Sequence, residues 1–449
     1  MDYESIKRLG LDHYNFDLNK SYEVYDSSSN NHIIYLYLNK ESSLKCPYCN
    51  EDKIFVKGTK TARIKYATAI ENNISVVLHR RVYICSHCNH SFIQKNPIVT
   101  EGRNISIQKD LKILEALRDN TKTYSTIATE FNVSPTYVIN LFDKKVDLKR
   151  LNMPTVLCID EVYSKRLTKT SYCCILYSPQ WKKIIDVLPS RRQDYLIEYF
   201  AHISLEEKSK IKFISMDMWE SYRRLAKICL PKAIICVDSF HVIKQLNECF
   251  RKLRIKIMNQ FQHLKYEQSN YYWLFKKYHR FLLTDLSKLP DRPIKVSHSG
   301  MYLYKDQIIK YMLELSPDLE LAYNLKEEYR NFNSSATIDN ALEWLDELIV
   351  KFKTSHITEY IPFWKLLQNW HDEIINSFNR VNGYRVSNGP MERINRDIKT
   401  IYRLSFGSTN FERIRNRIIY SLNSDAPILG YSKSTTNKRV GKPRGKYKK

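Results

Sequence analysis

Between residues 152 and 242 short apolar runs alternate with amphipathic segments, and that order leaves the chain few ways to fold. Residues 156–159, 171–177 and 181–188 read as three consecutive strands. Residues 193–202 then read as a helix, 211–216 as a fourth strand, 220–228 as a second helix and 233–237 as a fifth strand. Short runs rich in β-branched residues mark the buried central strands of a mixed sheet. Such a sheet gathers its ligands outside the strand ends.

Three carboxylates stand where such a sheet could use them. Asp160 closes the run Val156-Leu157-Cys158-Ile159, and Asp217 closes Phe213-Ile214-Ser215-Met216. Glu392 follows Asn388-Gly389-Pro390, a helix-start signal that sets the acid in the first turn. Hard divalent cations take oxygen ligands, and two Mg²⁺ ions about 3.5–4 Å apart can serve both the attacking and the leaving oxygen of a phosphodiester. Asp160, Asp217 and Glu392 would form that clamp around two Mg²⁺ or Mn²⁺ ions. A single aspartate at a strand end often only caps the next turn, so the argument rests on the acids together. Glu161 alternates to the opposite face if its strand continues, and it ranks below Asp160. Asp186 reads as an edge residue. Asp238 is the rival to Asp217: it also ends an apolar run, and His241 follows three residues on. That pair could ligate a metal, orient a phosphate or tie the strand to the next helix. The strand and helix order is that of a ribonuclease-H-like α/β core, an analogy that fixes no activity by itself.

Composition agrees with a polyanionic partner. Lys and Arg number 72 against 48 Asp and Glu, a formal net charge of +24, with a pI near 9.4. With 43% hydrophobic and 12% aromatic residues the chain is no disordered tail, and its 449 residues should build about two to four domains. No run of about eighteen apolar residues occurs, and Met1-Asp2-Tyr3-Glu4 lacks a basic and then hydrophobic leader. The expectation is a cytosolic protein with no membrane partner.

Ten cysteines in so long a chain do not suggest a disulfide framework. Cys158, Cys173, Cys174, Cys229, Cys236 and Cys249 lie in apolar or helical contexts and read as reduced core residues. Cys46-Pro47-Tyr48-Cys49 and Cys85-Ser86-His87-Cys88 differ, being two Cys-x-x-Cys knuckles separated by strand-like segments at 74–78 and 81–84. Cys46, Cys49, Cys85 and Cys88 therefore predict a β-rich ribbon, at about residues 40–95 within an N-terminal region 1–100, holding one structural Zn²⁺. His87 and His90 read as surface residues, because four thiolates already close a tetrahedral site.

Residues 101–150 predict a helix-turn-helix. An amphipathic stretch at 107–117 precedes Tyr124 to Phe131, the turn Asn132-Val133-Ser134 and a helix begun by Pro135. Ala128 is small where two helices would cross, and Ser134 would cap the second helix. Its early residues Thr136, Tyr137 and Asn140 would lie along base edges, with Lys144 and Lys145 on phosphates.

The core, first met at 151–243, is interrupted by an all-α insertion over 244–380 and resumes at 381–425. In the helix after Pro390, Met391, Ile394, Ile398 and Ile401 form an apolar stripe. Glu392, Asn395, Arg396, Lys399 and Arg403 share another face, which suits metal at one end and DNA phosphate along Arg396, Lys399 and Arg403. Residues 426–449 read as a basic, disordered tail that binds DNA without sequence preference.

The knuckles, the helix-turn-helix, Ile159-Asp160-Glu161, Ser215-Met216-Asp217-Met218, Asp238-Ser239-Phe240-His241 and Ser387-Asn388-Gly389-Pro390-Met391-Glu392 together resemble the IS-L-three family of bacterial insertion-sequence transposases. The resemblance runs from about residue 40 to 425. It implies a DDE transposase that binds element ends, cuts with Mg²⁺ and joins 3′ hydroxyls to target DNA. Asp160, Asp217 and Glu392 would be its triad, and Asp238 with His241 matches the Asp-x-x-His signature of related enzymes, supporting the site from behind the ligands. Partners would be double-stranded DNA and a second copy of the chain or more at synapsis, in a bacterial cytoplasm at the nucleoid. The competing reading is a zinc-ribbon and helix-turn-helix DNA-binding regulator whose transposase-like domain is inactive.

Overall fold

The computed structural model describes residues 1–12, 14–41, 43–69, 72–100, 102–164, 170–262, 269–284, 292–296, 300–405 and 409–429. The chain forms two compact units. The first takes residues up to Lys149, 400–406 and the chain from Glu412 onward, and the second takes 150–399 and 407–411.

The first unit opens with α1 (Tyr3–Arg8) and a sheet of β1 (Tyr22–Asp26), β2 (Asn31–Tyr37), β3 (Ile54–Ala69), β4 (Asn72–Cys85) and β5 (Ser91–Ile93). Its order is β1-β2-β4-β3, with β5 on β4. The two segments expected at 74–78 and 81–84 are one strand, because β4 pairs antiparallel with β3 along its whole length from Asn72 to Cys85. Irregularities at Val56/Gly58 and Lys65/Ala67 absorb the twist of so long a ribbon. Alternation turns Ile64, Val76, Leu78, Ile34 and Leu36 to one face, where they pack with Ile6, Leu11 and Phe16.

Three helices follow: α2 (Ile107–Ala116), α3 (Tyr124–Glu130) and α4 (Pro135–Lys145). Thr123 and Ser134 cap α3 and α4 by accepting from the backbone N–H three residues on. Asn132 takes the left-handed conformation that the tight turn needs, at φ 49°, and Val133 N–H donates to Ala128 at 2.9 Å. Ile127, Ala128, Val138, Leu141 and Phe142 are buried. α3 and α4 are joined by Phe131 to Ser134, with Ser134 as the cap of α4.

The second unit is built on β6 (Val156–Tyr163), β7 (Tyr172–Ser178), β8 (Lys183–Leu188), α5 (Gln193–Ala201), α6 (Leu205–Ser209), β9 (Phe213–Met216), α7 (Glu220–Cys229) and β10 (Ile234–Val237). The sheet order is β10-β9-β6-β7-β8. The hairpin-linked pairs β6/β7 and β7/β8 are antiparallel. Helices intervene before β9 and β10, and β9 lies parallel to both β6 and β10. β6 runs past its apolar segment: Asp160 pairs with Ile175 and Glu161 with Cys174, so Asp160 lies within the strand rather than at its end.

Next come α8 (Ser239–Gln260), α9 (Ser269–Leu283), β11 (Ile294–Lys295), β12 (Tyr302–Leu303), α10 (Lys305–Glu314), α11 (Pro317–Ser335), α12 (Ala341–Thr354), α13 (Ile361–Asn369) and α14 (His371–Asn376). The insertion expected to be all-α therefore holds, among its described residues, one short antiparallel ladder, β11 on β12. The Asn376 amide of α14 donates to Ile235 O at 3.1 Å, covering the open edge of β10. A second short ladder, β13 (Arg380–Val381) on β14 (Tyr384–Arg385), leads into α15 (Gly389–Leu404) and α16 (Phe411–Leu422).

α16, grouped with the core on sequence, packs in the first unit instead. Arg413 makes a two-point ion pair with Asp143, and the buried Arg417 guanidinium donates to the carbonyls of Leu117, Asp119 and Lys122. No described helix is long and apolar enough to cross a membrane. The basic segment from Ser432 lies outside the described residues.

Candidate active site

Asp160 sits on the central strand of the second unit's sheet. Its Oδ1 accepts from Glu161 N–H at 2.7 Å, and its Oδ2 accepts from the Asn395 amide of α15 at 2.7 Å. Burial, and then the negative charge of Asp217, raise the Asp160 carboxyl to about 6. Asp217 follows β9, the neighbour of β6, so strand pairing brings the two acids side by side. Glu392 is exposed in the first turn of α15, three residues before Asn395, and that spacing puts both on one helix face.

His241, in the first turn of α8, aims Nε2 at Asp217 Oδ1 at 2.9 Å and stands 3.9 Å from Asp238 Oδ2. Ligand atoms of Asp217, Asp238 and His241 all lie within 4.8 Å of one another, a set that could hold a cation. Asp238 is 3% exposed, and burial raises its carboxyl. Burial pulls His241 down, but Asp217, Asp238 and Asp160 outweigh it and the imidazole is raised. His241 is closer to Asp217 than to Asp238.

Two asparagines complete the junction. The Asn388 amide donates to Ile159 O at 3.1 Å, and Cys158 contacts Ser387 O, so the start of α15 is tied to β6. The side-chain carbonyl oxygens of Asn388 and Asn395 are buried and accept no hydrogen bond among the described residues. Uncommitted hard oxygens beside carboxylates suit Mg²⁺ or Mn²⁺. Asn395 shares the polar helix face of Glu392, and the three-residue offset between them is the signal that the sequence carries.

Glu161 faces the other way. It binds Arg191 and accepts from the Tyr222 hydroxyl at 3.0 Å, while the Arg191 guanidinium lies over the rings of Tyr172 at 3.9 Å and Trp219 at 4.8 Å. Asp186 is on the edge strand β8 and is buried, accepting from the Tyr199 hydroxyl at 2.9 Å.

A protein-family model described as transposase, of the DDE class and the IS-L-three group, matches residues 157–418, more than half of the chain. The chain belongs to the IS-L-three transposase family. None of the curated proteins compared with it matches. The matched span of this transposase includes Asp160, Asp217, Asp238, His241 and Glu392.

The transposase also has a thiol cluster outside that span. Sγ atoms of Cys46 and Cys88 are 3.6 Å apart, as are those of Cys49 and Cys85, and all four lie within 4.8 Å. Tetrahedral Zn²⁺ with sulfur at about 2.3 Å sets sulfurs about 3.8 Å apart, so the cluster could hold one zinc ion. Each knuckle closes on an asparagine at positive φ, Asn50 and Asn89, whose N–H donates back to Cys46 O and Cys85 O. His87 and His90 are exposed, and His90 stacks on Tyr48 at 4.6 Å.

On α4, Thr136, Asn140 and Lys144 are exposed. Tyr137 is half-buried, its hydroxyl donating to the buried Asp110 at 2.5 Å, and burial pushes the phenol up. Lys145 is 3% exposed, so it does not share the surface of Lys144 as expected. Arg396, Lys399 and Arg403 are all exposed.

Proposed function

We propose that this chain is a DNA transposase that cleaves at the ends of its element and transfers 3′ hydroxyls to target DNA. The convergence of three elements carries this reading: Asp160 on β6, Asp217 after β9, and α15, which reaches Asp160 through Asn395 one turn beyond Glu392. Asp160, Asp217 and Glu392 would hold two Mg²⁺ or Mn²⁺ ions, which supply Lewis-acid activation of the attacking and leaving oxygens. A strand order of three antiparallel and two parallel strands with intervening helices supports a ribonuclease-H-like core.

The chain's own residues do the positioning. Asn395 and Glu161 N–H fix the two oxygens of Asp160. His241 orients Asp217, and Asp238 lies buried behind it. Thr136, Asn140 and Lys144 of α4 would contact element ends, and Arg396, Lys399 and Arg403 the phosphates of bound DNA. The four thiols would hold a structural Zn²⁺. Joining two ends calls for a dimer or larger assembly, acting at DNA in a bacterial cytoplasm.

The test is nicking of DNA that carries the element's terminal repeats, with Mg²⁺ or Mn²⁺. Wild-type protein should nick and Asp160→Asn should not, while both bind the DNA alike. Nicking retained by the variant would remove Asp160 from the reaction; binding without nicking by the wild type would favour a DNA-binding regulator.

A further inference from the structure

The first unit's sheet has a second face, turned away from the packing of Ile34, Leu36, Ile64, Val76 and Leu78. Strand register sets Tyr22, Tyr35, Val77 and Arg63 in one row across β1, β2, β4 and β3, and Tyr37, His79 and Thr61 in the next. Alternation keeps these side chains on that second face. The rings stack on one another. Tyr22 and Tyr35 have centroids 4.6 Å apart at 11°, Tyr37 and His79 are 4.1 Å apart at 5°, and Tyr35 reaches His79 at 6.4 Å.

The stack has an open end. β1 is an edge strand, so among the described residues no further strand covers Tyr22, which is 46% exposed. The opposite border is cationic: Arg63 ends the first row on edge strand β3, and Arg81, paired with Thr59, lies one row beyond His79. Asp26 is the acid that β1 to β4 place on this face, and its carboxylate is already held by Ser28 and Ser29.

Planar rings with a free end and guanidinium groups across the same surface match the two needs of an unpaired strand, stacking for bases and charge for phosphates. A duplex fits less well, because its bases already stack on each other and offer no face to Tyr22. We propose that this face binds single-stranded DNA, a base extending the tyrosine–histidine stack at Tyr22 and phosphates lying against Arg63 and Arg81. None of these residues belongs to the acid cluster, the four thiols or the helix-turn-helix, so the inference stands apart from the reaction proposed above.

The test uses the full chain and fluorescent oligo(dT) of about 15 nucleotides, within the usual site sizes for such platforms. Tyr22→Ala should weaken oligo(dT) binding about tenfold, within the range that stacking one base on an aromatic is worth, and Arg63→Ala should weaken it by removing a phosphate contact. Tyr22→Phe, which keeps the ring, should bind as wild type, and duplex binding should hold within about twofold for all three. Oligonucleotides carrying iodouracil should photo-cross-link to Tyr22 or its stacked neighbours in wild-type protein, whatever the stability of any variant. The proposal is overturned if Tyr22→Ala binds oligo(dT) normally, if duplex affinity falls by the same factor, or if the cross-links map elsewhere. Tighter binding of oligo(U) than of oligo(dT) would overturn the assignment to DNA.

Discussion

The Asn395 amide donates to Asp160 Oδ2 at 2.7 Å, joining the helix that carries Glu392 to the central strand of the sheet. Glu392 and Asp160 are far apart in sequence, so a contact of this kind is what brings their elements to one place. Asn395 also holds the Asp160 carboxyl down against burial and Asp217.

Asn395→Ala should therefore slow cleavage about 10–100-fold, the usual cost of losing a group that orients a metal ligand. The acid limb of the pH–rate profile should move to higher pH, because one group that lowers the Asp160 value is gone. A slower variant with an unmoved profile would make Asn395 merely structural.

Asp160 supplies a stability test without metal. Its folded value of about 6 lies above the ordinary 3.8, so the folded state holds the proton more tightly than the unfolded one. Stability then falls as pH rises from about 4 to about 6, and the deficit persists above that window. Asp160→Asn removes the penalty. At about pH 7.5 the metal-free variant should be more stable than wild type by on the order of 1–3 kcal/mol, the two should converge near pH 4, and the variant should not cleave. Equal or lower stability of the variant at neutral pH would mean that the Asp160 charge is not strained.

The two strand-end aspartates should separate by mutation. Asp217→Ala is expected to abolish strand transfer, since Asp217 acts on Asp160 and faces His241 at 2.9 Å. Asp238→Ala should slow it and lower the melting temperature, in keeping with burial at 3% exposure. The opposite ranking in a strand-transfer assay would make Asp238 the second acid.

Purified protein should carry one zinc ion per chain, with X-ray absorption placing sulfur at about 2.3 Å. Cys85→Ser should release it, unfold the end of the long β3/β4 ribbon and weaken binding to element ends. Metal analysis finding substoichiometric zinc would reject the assignment.

Arg417→Met should destabilise the first unit by about 2–4 kcal/mol, because three carbonyls around a buried guanidinium lose their donor. Thermal unfolding measures it, and a change under 1 kcal/mol, about a single ordinary hydrogen bond, would refute that role.

What the sequence determined by itself was local chemistry. Short β-branched runs became β6 to β10 because such residues suit a buried pleat, and Ser134 and Pro135 began α4 because a hydroxyl cap and a fixed φ favour a helix start there. Two knuckles of four thiols meet because β3 and β4 pair from end to end. Tertiary structure decided the rest. β6 continues through Asp160 because β7 lies beside it, His241 turns to Asp217 because α8 starts at the end of β10, the neighbour of β9, and Lys145 is buried although its neighbour Lys144 is exposed. α16 joins the first unit through Arg413 and Arg417, and Asn395 finds Asp160 across most of the second unit's chain. Hydrophobic period and capping are written in neighbouring residues, whereas the partner of a polar side chain depends on which distant backbone the packing brings within about 3 Å of it.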